Sequence, residues 1–297
     1  MRISTPQFQF DSVNRIIEQQ AKLVEIQQQI ASGEKIQTPS DDPASAARVL
    51  NISESIEING QYKRNADQVS ARLATEESTL TALIDVFQRV RELAVQGLNG
   101  TQAQNDRDTI AAEMSQHLAQ VVSLAGTTDS RGEYIFSGYN VNQTPIADDG
   151  NGGYTYLGDQ GQRQILIGPN RKIEDGDTGF DVFFDLDNTT QNAFSVVYNF
   201  AADLSTNTQA SASLDDFDAV LENLSLTRSN IGARINSIDN QTEANDEVVF
   251  QSKKLLSDIR DLDYTEAISR LNLQQVALEA AQQSYVRIQS LSLFNFL

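Results

Sequence analysis

Apolar residues recur at helical spacing near both ends of the chain. Ile16, Leu23 and Ile30 are each seven residues apart, so a helix would place them on one face. Between 264 and 297 the sequence has neither Gly nor Pro, and its apolar residues gather on one half of a helical wheel. Those residues are Leu273, Ala277, Leu278, Ala280, Ala281, Tyr285, Ile288 and Leu291. We predict amphipathic helices over about 12–32 and from 264 to the last residue.

Two terminal helices with apolar stripes need a surface to cover them. Ordering one backbone residue costs roughly 1–2 kcal/mol, and an isolated helix in water is only marginally stable. The stripes must therefore pack against each other or against other copies of the chain, which predicts a protein that assembles. We assign the subunit contact surface to Ile16, Leu23 and Ile30 in the first helix and to Leu273, Leu278, Ala281, Tyr285, Ile288 and Leu291 in the last.

A longer apolar seam runs through the interior of the chain. Apolar positions three and four residues apart connect 49 to 94, which predicts one long helix, and a third helix follows over 106–124. A second seam covers 231–259, and we expect it to pack against 49–94 within one chain. The first seam is broken by three polar residues, Asn59, Lys63 and Glu76.

Residues 130–200 have a different composition, with most of the glycines and several turn signals. We predict strands over 154–157, 164–167 and 180–186. The fold class is therefore mainly α with a small β insert: an elongated antiparallel helical coiled-coil rod with paired terminal helices and a β-rich tip. The predicted domains are a terminal helical assembly domain (1–45 with 260–297), a helical rod domain (46–134 with 210–259) and a β-rich outer domain (135–209).

Composition excludes several functional classes. The net charge of −19 argues against nucleic acid and against anionic membrane surfaces, because both require clustered Lys and Arg. The absence of Cys excludes disulfides, thiolate metal sites and cysteine nucleophiles. No apolar run approaches the roughly 20 residues that span a bilayer, so we expect no membrane insertion. The start of the chain has no secretory signal pattern, so export would need another route.

Candidate catalytic or metal residues have simpler structural interpretations. His117, the single histidine, lies on the apolar seam of the third helix, where a half-buried packing role is expected. Asp41 and Asp42 precede a long helix, where they would cap it rather than catalyse. The glycine-rich run 148–153 lacks the pattern of an EF-hand and predicts a hairpin turn. Asp258, Asp261 and Asp263 surround Arg260 and suggest a solvated face or an interface ion pair. We predict no enzyme activity, cofactor or metal.

Three segments resemble the flagellin superfamily. Residues 30–36 (IASGEKI) with 39–44 (PSDDPA) are similar to its junction after the first helix. Residues 134–139 (YIFSGY) with Pro145 are similar to the entrance of its outer domain, and residues 273–285 with 291–297 (LSLFNFL) are similar to its last helix. The short middle, the MRIST start and the terminal Phe294 and Phe296 resemble its hook–filament junction members more than flagellin itself.

The resemblance implies a structural component of the bacterial flagellum. Junction members form a ring between hook-associated protein 1 and the flagellin filament, and leave the cell through the flagellar type III channel without a cleaved signal. An export chaperone would hold the C-terminal helix, and Phe294 and Phe296 would extend the subunit and chaperone contact surface. The implied location is extracellular, in the flagellum. A short flagellin is the alternative. A secreted adhesin with a ligand-binding β tip is a hypothesis of another class.

Overall fold

Long helices form most of the part of the chain that the structure describes. The computed structural model describes residues 5–99, 102–187, 189–206, 208 and 212–294. The elements are α1 Thr5–Ser32, α2 Pro43–Gly97, α3 Gln104–Ala125, β1 Ile146–Asp148, β2 Tyr154–Tyr156, β3 Gln164–Gly168, β4 Arg171–Glu174, α4 Gly179–Phe183, α5 Ala193–Thr206, α6 Leu214–Arg260 and α7 Tyr264–Phe294. The predicted class, mainly α with a small β insert, is confirmed.

The chain divides into two units. One unit consists of residues 1–58 with 248–297, and the other of residues 59–247. We call them the terminal unit and the central unit. The predicted third domain over 135–209 stays a prediction; its buried residues Phe136 and Phe194 belong to the same hydrophobic core as Phe87 of α2.

In the central unit, α2 and α6 run antiparallel beside each other. Lys63 Nζ donates to Asp246 Oδ1 at 2.8 Å, and at the other end Arg91 donates to Asp218. The apolar seam of α2 contributes the fully buried Leu73, Leu80 and Phe87 to a core that also contains Ile231 and Ile238 of α6. The predicted packing of the two seams is therefore confirmed within this unit.

The β insert consists of two separate antiparallel hairpins. In the first, Ile146 pairs with Tyr156, and the glycine-rich run 148–153 forms the turn, as predicted. In the second, Ile165 pairs with Ile173. The predicted strands over 154–157 and 164–167 are confirmed to within one residue at their ends.

The predicted strand over 180–186 is wrong, because α4 occupies this position. Thr178 caps the helix: its side-chain oxygen accepts a hydrogen bond from the Asp181 backbone amide. The phenylalanines at 180, 183 and 184 recur at helical spacing, and Phe183 is fully buried with its ring 5.3 Å from that of Phe136. A capping threonine and a partner ring together favour the helix over the strand that an aromatic run suggests.

Helix α5 is also missing from the sequence prediction, which treated residues 130–200 as β-rich. Phe194, Val197, Ala201 and Leu204 are buried at spacings of three and four residues, a helical pattern. The helix packs against α3. The periodicity was present in the sequence, but the glycines before residue 180 suggested that the whole region was β.

Candidate assembly surface on the terminal helices

Helix α1 ends at a glycine that lets the chain reach α7. Gly33 has φ +75°, a left-handed conformation typical of the residue after a helix. Its carbonyl accepts a hydrogen bond of 2.9 Å from the Leu262 amide, and the Lys35 amide donates 2.7 Å to the Arg260 carbonyl. These two bonds fix the start of α7 beside the end of α1.

Aspartates hold the junction between α1 and α2. A carboxylate oxygen of Asp41 accepts from the Thr38 amide at 2.8 Å, and Asp42 accepts from the amides of Ala44 and Ser45 at 3.1 Å each. The Thr38 bonds lower the pKa of Asp41, and bonds from Ser45 lower that of Asp42. Both carboxylates therefore stabilise the junction above their ordinary pKa, and this contribution is lost as the pH falls. The predicted capping role is confirmed for Asp42, whereas Asp41 binds the amides of the loop before it and does not cap α2.

The acidic residues near the start of α7 make ion pairs with Arg260 and cap the helix. Arg260 Nε lies 3.4 Å from a Glu34 oxygen and 3.5 Å from one of Asp261. Asp263 accepts from the Thr265 amide at 2.9 Å and caps α7. This agrees with the expected ion pairing, and Asp258 is exposed.

Helices α1 and α7 pack against each other in antiparallel directions, as predicted. Gln274 on α7 donates to the backbone carbonyl of Gln19 on α1 at 3.2 Å, which fixes the register about halfway along α1. Each helix presents a half-buried stripe at spacings of three and four residues, which we call the inner stripe. Its members are Ile16, Gln19, Leu23, Ile26 and Ile30 on α1 and Leu271, Gln274, Leu278, Ala281 and Tyr285 on α7.

Six of the residues predicted to form the contact surface belong to this inner stripe. They are Ile16, Leu23, Ile30, Leu278, Ala281 and Tyr285. Leu273 does not, since its side chain is 72% exposed. Ile288, Leu291 and Phe294 lie in α7, but the structure does not describe their side chains, and Phe296 lies outside the described residues.

A second apolar surface remains exposed on the same two helices, and we call it the outer stripe. On α1 its members lie three, four and seven residues apart and so share one face of the helix. On α7, Leu273 and Val276 are neighbours three residues apart, and both are more than 60% exposed. The members are Phe10, Val13, Ile17 and Val24 on α1 and Ile268, Leu273, Val276 and Val286 on α7.

Of the outer stripe, the sequence prediction assigned only Leu273 to the contact surface. The signal was available: apolar residues occupy more of each helix than the narrow stripe needed to join two helices. A helix with one partner covers one face, so apolar residues on a second face indicate a second partner.

Charge is distributed unevenly between the helix pair and the rest of the chain. Helices α1 and α7 together contain four Lys or Arg and five Asp or Glu, a net charge of −1. The central unit contains 12 basic and 28 acidic residues, a net charge of −16. Copies of the chain can therefore approach through the terminal helices with little electrostatic repulsion.

Among the described residues we find no catalytic or metal site. His117 is half-buried, with its Nε2 3.8 Å from a Glu113 oxygen. Within the described ranges, no group of three or more His, Asp or Glu side chains could hold a metal ion. None of the helices described is long and apolar enough to cross a membrane.

The helical parts of the chain, including α1 and α7, match known protein families. The family described as the bacterial flagellin N-terminal helical region matches residues 3–141, and the bacterial flagellin C-terminal helical region matches residues 214–297. The chain belongs to the flagellin superfamily. The two matches cover both terminal helices and both long helices, and they leave out most of the β insert and α5.

Individual relatives distinguish branches of the superfamily. Flagellar hook-associated protein 3 of Escherichia coli K12 is 27% identical over 320 residues, which is 99% of each chain. Flagellin of Salmonella muenchen is 32% identical over 149 residues, covering 50% of this chain and only 30% of that flagellin. The similarity to hook-associated protein 3 thus extends from end to end, whereas the similarity to flagellin does not.

A solved relative has the same fold. The crystal structure of hook-associated protein 3 from Legionella pneumophila superimposes with a TM-score of 0.65 at 18% identity, covering 71% of this chain and 98% of the other. At this identity the match concerns the fold alone. The superfamily gives the chain a structural role in the bacterial flagellum, and its relatives are structural proteins rather than enzymes.

Proposed function

We propose that the chain is the adaptor that joins the flagellar hook, through hook-associated protein 1, to the flagellin filament. It would form a ring of identical copies that contact each other through the terminal helices. The end-to-end similarity to hook-associated protein 3, set against a partial similarity to flagellin, supports this position in the flagellum.

The single observation that carries the proposal is the exposed outer stripe. The inner stripe is already used to pair α1 with α7 inside one copy, so we assign the main contact between copies to the outer stripe. The outer stripe is apolar, continuous over α1 and free of strong net charge. Burying such side chains is worth roughly 1.5–3 kcal/mol each when complete, so neighbouring copies, hook-associated protein 1 or flagellin would gain by covering it.

The exposed apolar residues of α7 also have to be covered before the chain is exported. Before assembly the outer stripe of α7 would remain in water, where Leu273 and Val276 invite aggregation. We therefore propose that an export chaperone covers α7 in the cytoplasm, and that the chain then leaves through the flagellar type III channel without a cleaved signal. The predicted residues Leu278, Ala281 and Tyr285 would be accessible to the chaperone when α1 is not paired with α7.

The test is a strain whose copy of the gene ends after Leu262, so that α7 is absent. We expect hooks without filaments and unpolymerised flagellin in the medium. A second variant keeps α7 but replaces Leu273 and Val276 by Ser, and its control replaces the exposed Gln275 and Gln282 by Ser. The apolar variant should release flagellin and the control should not. Filaments of normal length in the truncated strain would refute the adaptor role.

A short flagellin is the second candidate, because the local identity to flagellin, 32%, exceeds the identity to hook-associated protein 3. A purified flagellin should elongate filament seeds. The adaptor should instead stay monomeric in solution and only permit filaments to grow from hooks. Elongation of seeds by the purified chain would favour the flagellin alternative.

A further inference from the structure

A buried cluster of charged residues lies in the central unit. Its two deepest members are on α2: Glu76 is fully buried and Arg72 is 6% exposed. The loop before α4 brings Asp175 and Asp177 to them, and α6 contributes Arg234, which pairs with Asp177. Burying charge is costly unless every group is paired, so the cluster requires an explanation.

Glu76 is only partly satisfied. One oxygen, Oε1, accepts a hydrogen bond of 3.0 Å from the Asp177 backbone amide. The other oxygen, Oε2, is buried without a partner. A Cβ atom on Gly176 would lie 3.3 Å from this oxygen, so the loop closes directly over it. Glu76 is 0% exposed, so bulk water does not reach its carboxylate.

The two arginines beside Glu76 face other carboxylates, although Arg72 Nε and Nη1 and Arg234 Nη1 make no hydrogen bond. Arg234 pairs with Asp177. Arg72 Nη1 lies 3.6 Å from oxygens of both Asp129 and Glu133, and its Nη2 donates to the Ile135 carbonyl. Neither arginine makes a hydrogen bond to the unpartnered oxygen of Glu76.

Negative charges outnumber positive charges in this cluster. Arg163 pairs with Asp175 at 2.6 Å, and Arg131 bridges Asp129 and Glu133. The groups joined by these contacts are the carboxylates of Glu76, Asp129, Glu133, Asp175 and Asp177 and the guanidinium groups of Arg72, Arg131, Arg163 and Arg234. Among the groups joined by these contacts, five carboxylates face four arginines.

We propose that Glu76 is a proton-binding site of the folded protein: its carboxyl group carries a proton when the central unit is folded and releases it when this unit unfolds. Glu76 is the member with the least solvent and without an ion-pair partner, whereas Asp177 retains Arg234. This proposal is independent of where in the flagellum the chain acts.

The electrostatic environment supports this assignment. Burial, followed by the negative charge of Asp177, raises the pKa of Glu76 well above its ordinary value of 4.5. A carboxyl group whose pKa is higher in the folded than in the unfolded state binds more protons when folded. Its contribution to stability is therefore greatest below pH 4.5 and decreases as the pH rises towards the folded-state pKa. Above that pKa, the buried charge destabilises the central unit by a constant amount.

The experiment measures urea unfolding of the full chain as a function of pH. Folding takes up one proton between pH 5 and the folded-state pKa. Over this range the unfolding equilibrium constant should increase by up to about tenfold for each unit that the pH rises. The variant Glu76→Gln preserves the shape of the neutral acid and should lose this pH dependence. Glu77→Gln, at the half-buried neighbouring position on α2, is the control and should keep it.

Two further measurements use the wild-type chain and do not depend on whether Glu76→Gln folds. Unfolding the wild-type chain by urea in weakly buffered solution at pH 6 should release about one proton per molecule, detected with a pH indicator. Infrared spectra of the folded chain should contain the band of a protonated carboxyl group. No proton release, or loss of the pH dependence in Asp177→Asn but not in Glu76→Gln, would overturn the assignment.

Discussion

The outer stripe can be removed without touching the pairing of α1 with α7. We consider the triple variant Phe10→Ser, Ile17→Ser and Val24→Ser, at positions that are 73%, 58% and 44% exposed. A fully buried side chain of this size is worth about 1.5–3 kcal/mol. Scaled by the exposed fractions, the three side chains offer about 3–5 kcal/mol to a partner that covers them.

Association also orders side chains and desolvates polar groups, so the lower end of this range is the better estimate. About 3 kcal/mol corresponds to roughly a hundredfold weaker association. In the free chain the same residues are already partly covered, Val24 most of all, so the substitutions also lower the stability of the chain itself. The variant should therefore have a lower melting temperature and assemble poorly.

The assay is complementation of a deletion strain from a titratable promoter, with filaments counted per cell. The triple variant should need on the order of a hundredfold more protein for half-maximal filament number, and circular dichroism at the growth temperature should show that it is still folded. The control replaces Gln20, Gln27 and Gln28 by Ser, all exposed on the same helix, and should behave as wild type. If the triple variant assembles at wild-type concentrations, the outer stripe is not the contact surface.

Three further predictions concern the central unit. Phe136→Ala should lower the free energy of unfolding by about 3–5 kcal/mol in urea denaturation, because Phe136 is fully buried against Phe183; a loss below about 1 kcal/mol would mean that the site collapses freely. Gly138→Ala should destabilise this unit, because Gly138 has φ +66° and an added Cβ would lie 2.2 Å from the Asp159 carbonyl oxygen. Gly232→Ala is the control: an added Cβ meets open space on α6, so this change should raise the free energy of unfolding by about 0.5–1 kcal/mol. Equal shifts of the two melting temperatures would contradict the prediction. Burial raises the pKa of Tyr156 to about 12, so Tyr156→Phe should remove one late-titrating group from the ultraviolet absorbance titration. Folding favours the neutral hydroxyl, so the wild-type chain loses stability between pH 10 and 12, and the variant should lose less. An unchanged titration curve would refute the assignment.

The periodicity of apolar residues determines the helices and part of the β insert. The spacing that predicts α1, α7 and the long seams depends only on residues a few positions apart along the chain, and the structure contains each of those helices. The turn residues in 148–153 likewise predict the first hairpin locally. The capping role of Asp42 follows from its position just before a helix, whereas the contact of Asp41 with the Thr38 amide does not.

Tertiary packing decides between local alternatives that the sequence leaves equal. Residues 180–184 contain enough aromatic residues for a strand, and the helix forms because Thr178 caps it and Phe136 receives Phe183. The sequence marked Glu76 as an interruption of the seam, but only the fold places it beneath Gly176, where a carboxylate is isolated from water.

The same distinction applies to the candidate assembly surface. The sequence determines that α1 and α7 are amphipathic and that residues such as Ile16 and Leu23 share a face. It does not determine which apolar face of each helix is used inside the chain, because this depends on where the partner helix lies. The hydrogen bonds of Gly33 with Leu262 and of Gln19 with Gln274 set that geometry. They cover the inner stripe and leave the outer one exposed, and that choice exists only in the folded chain.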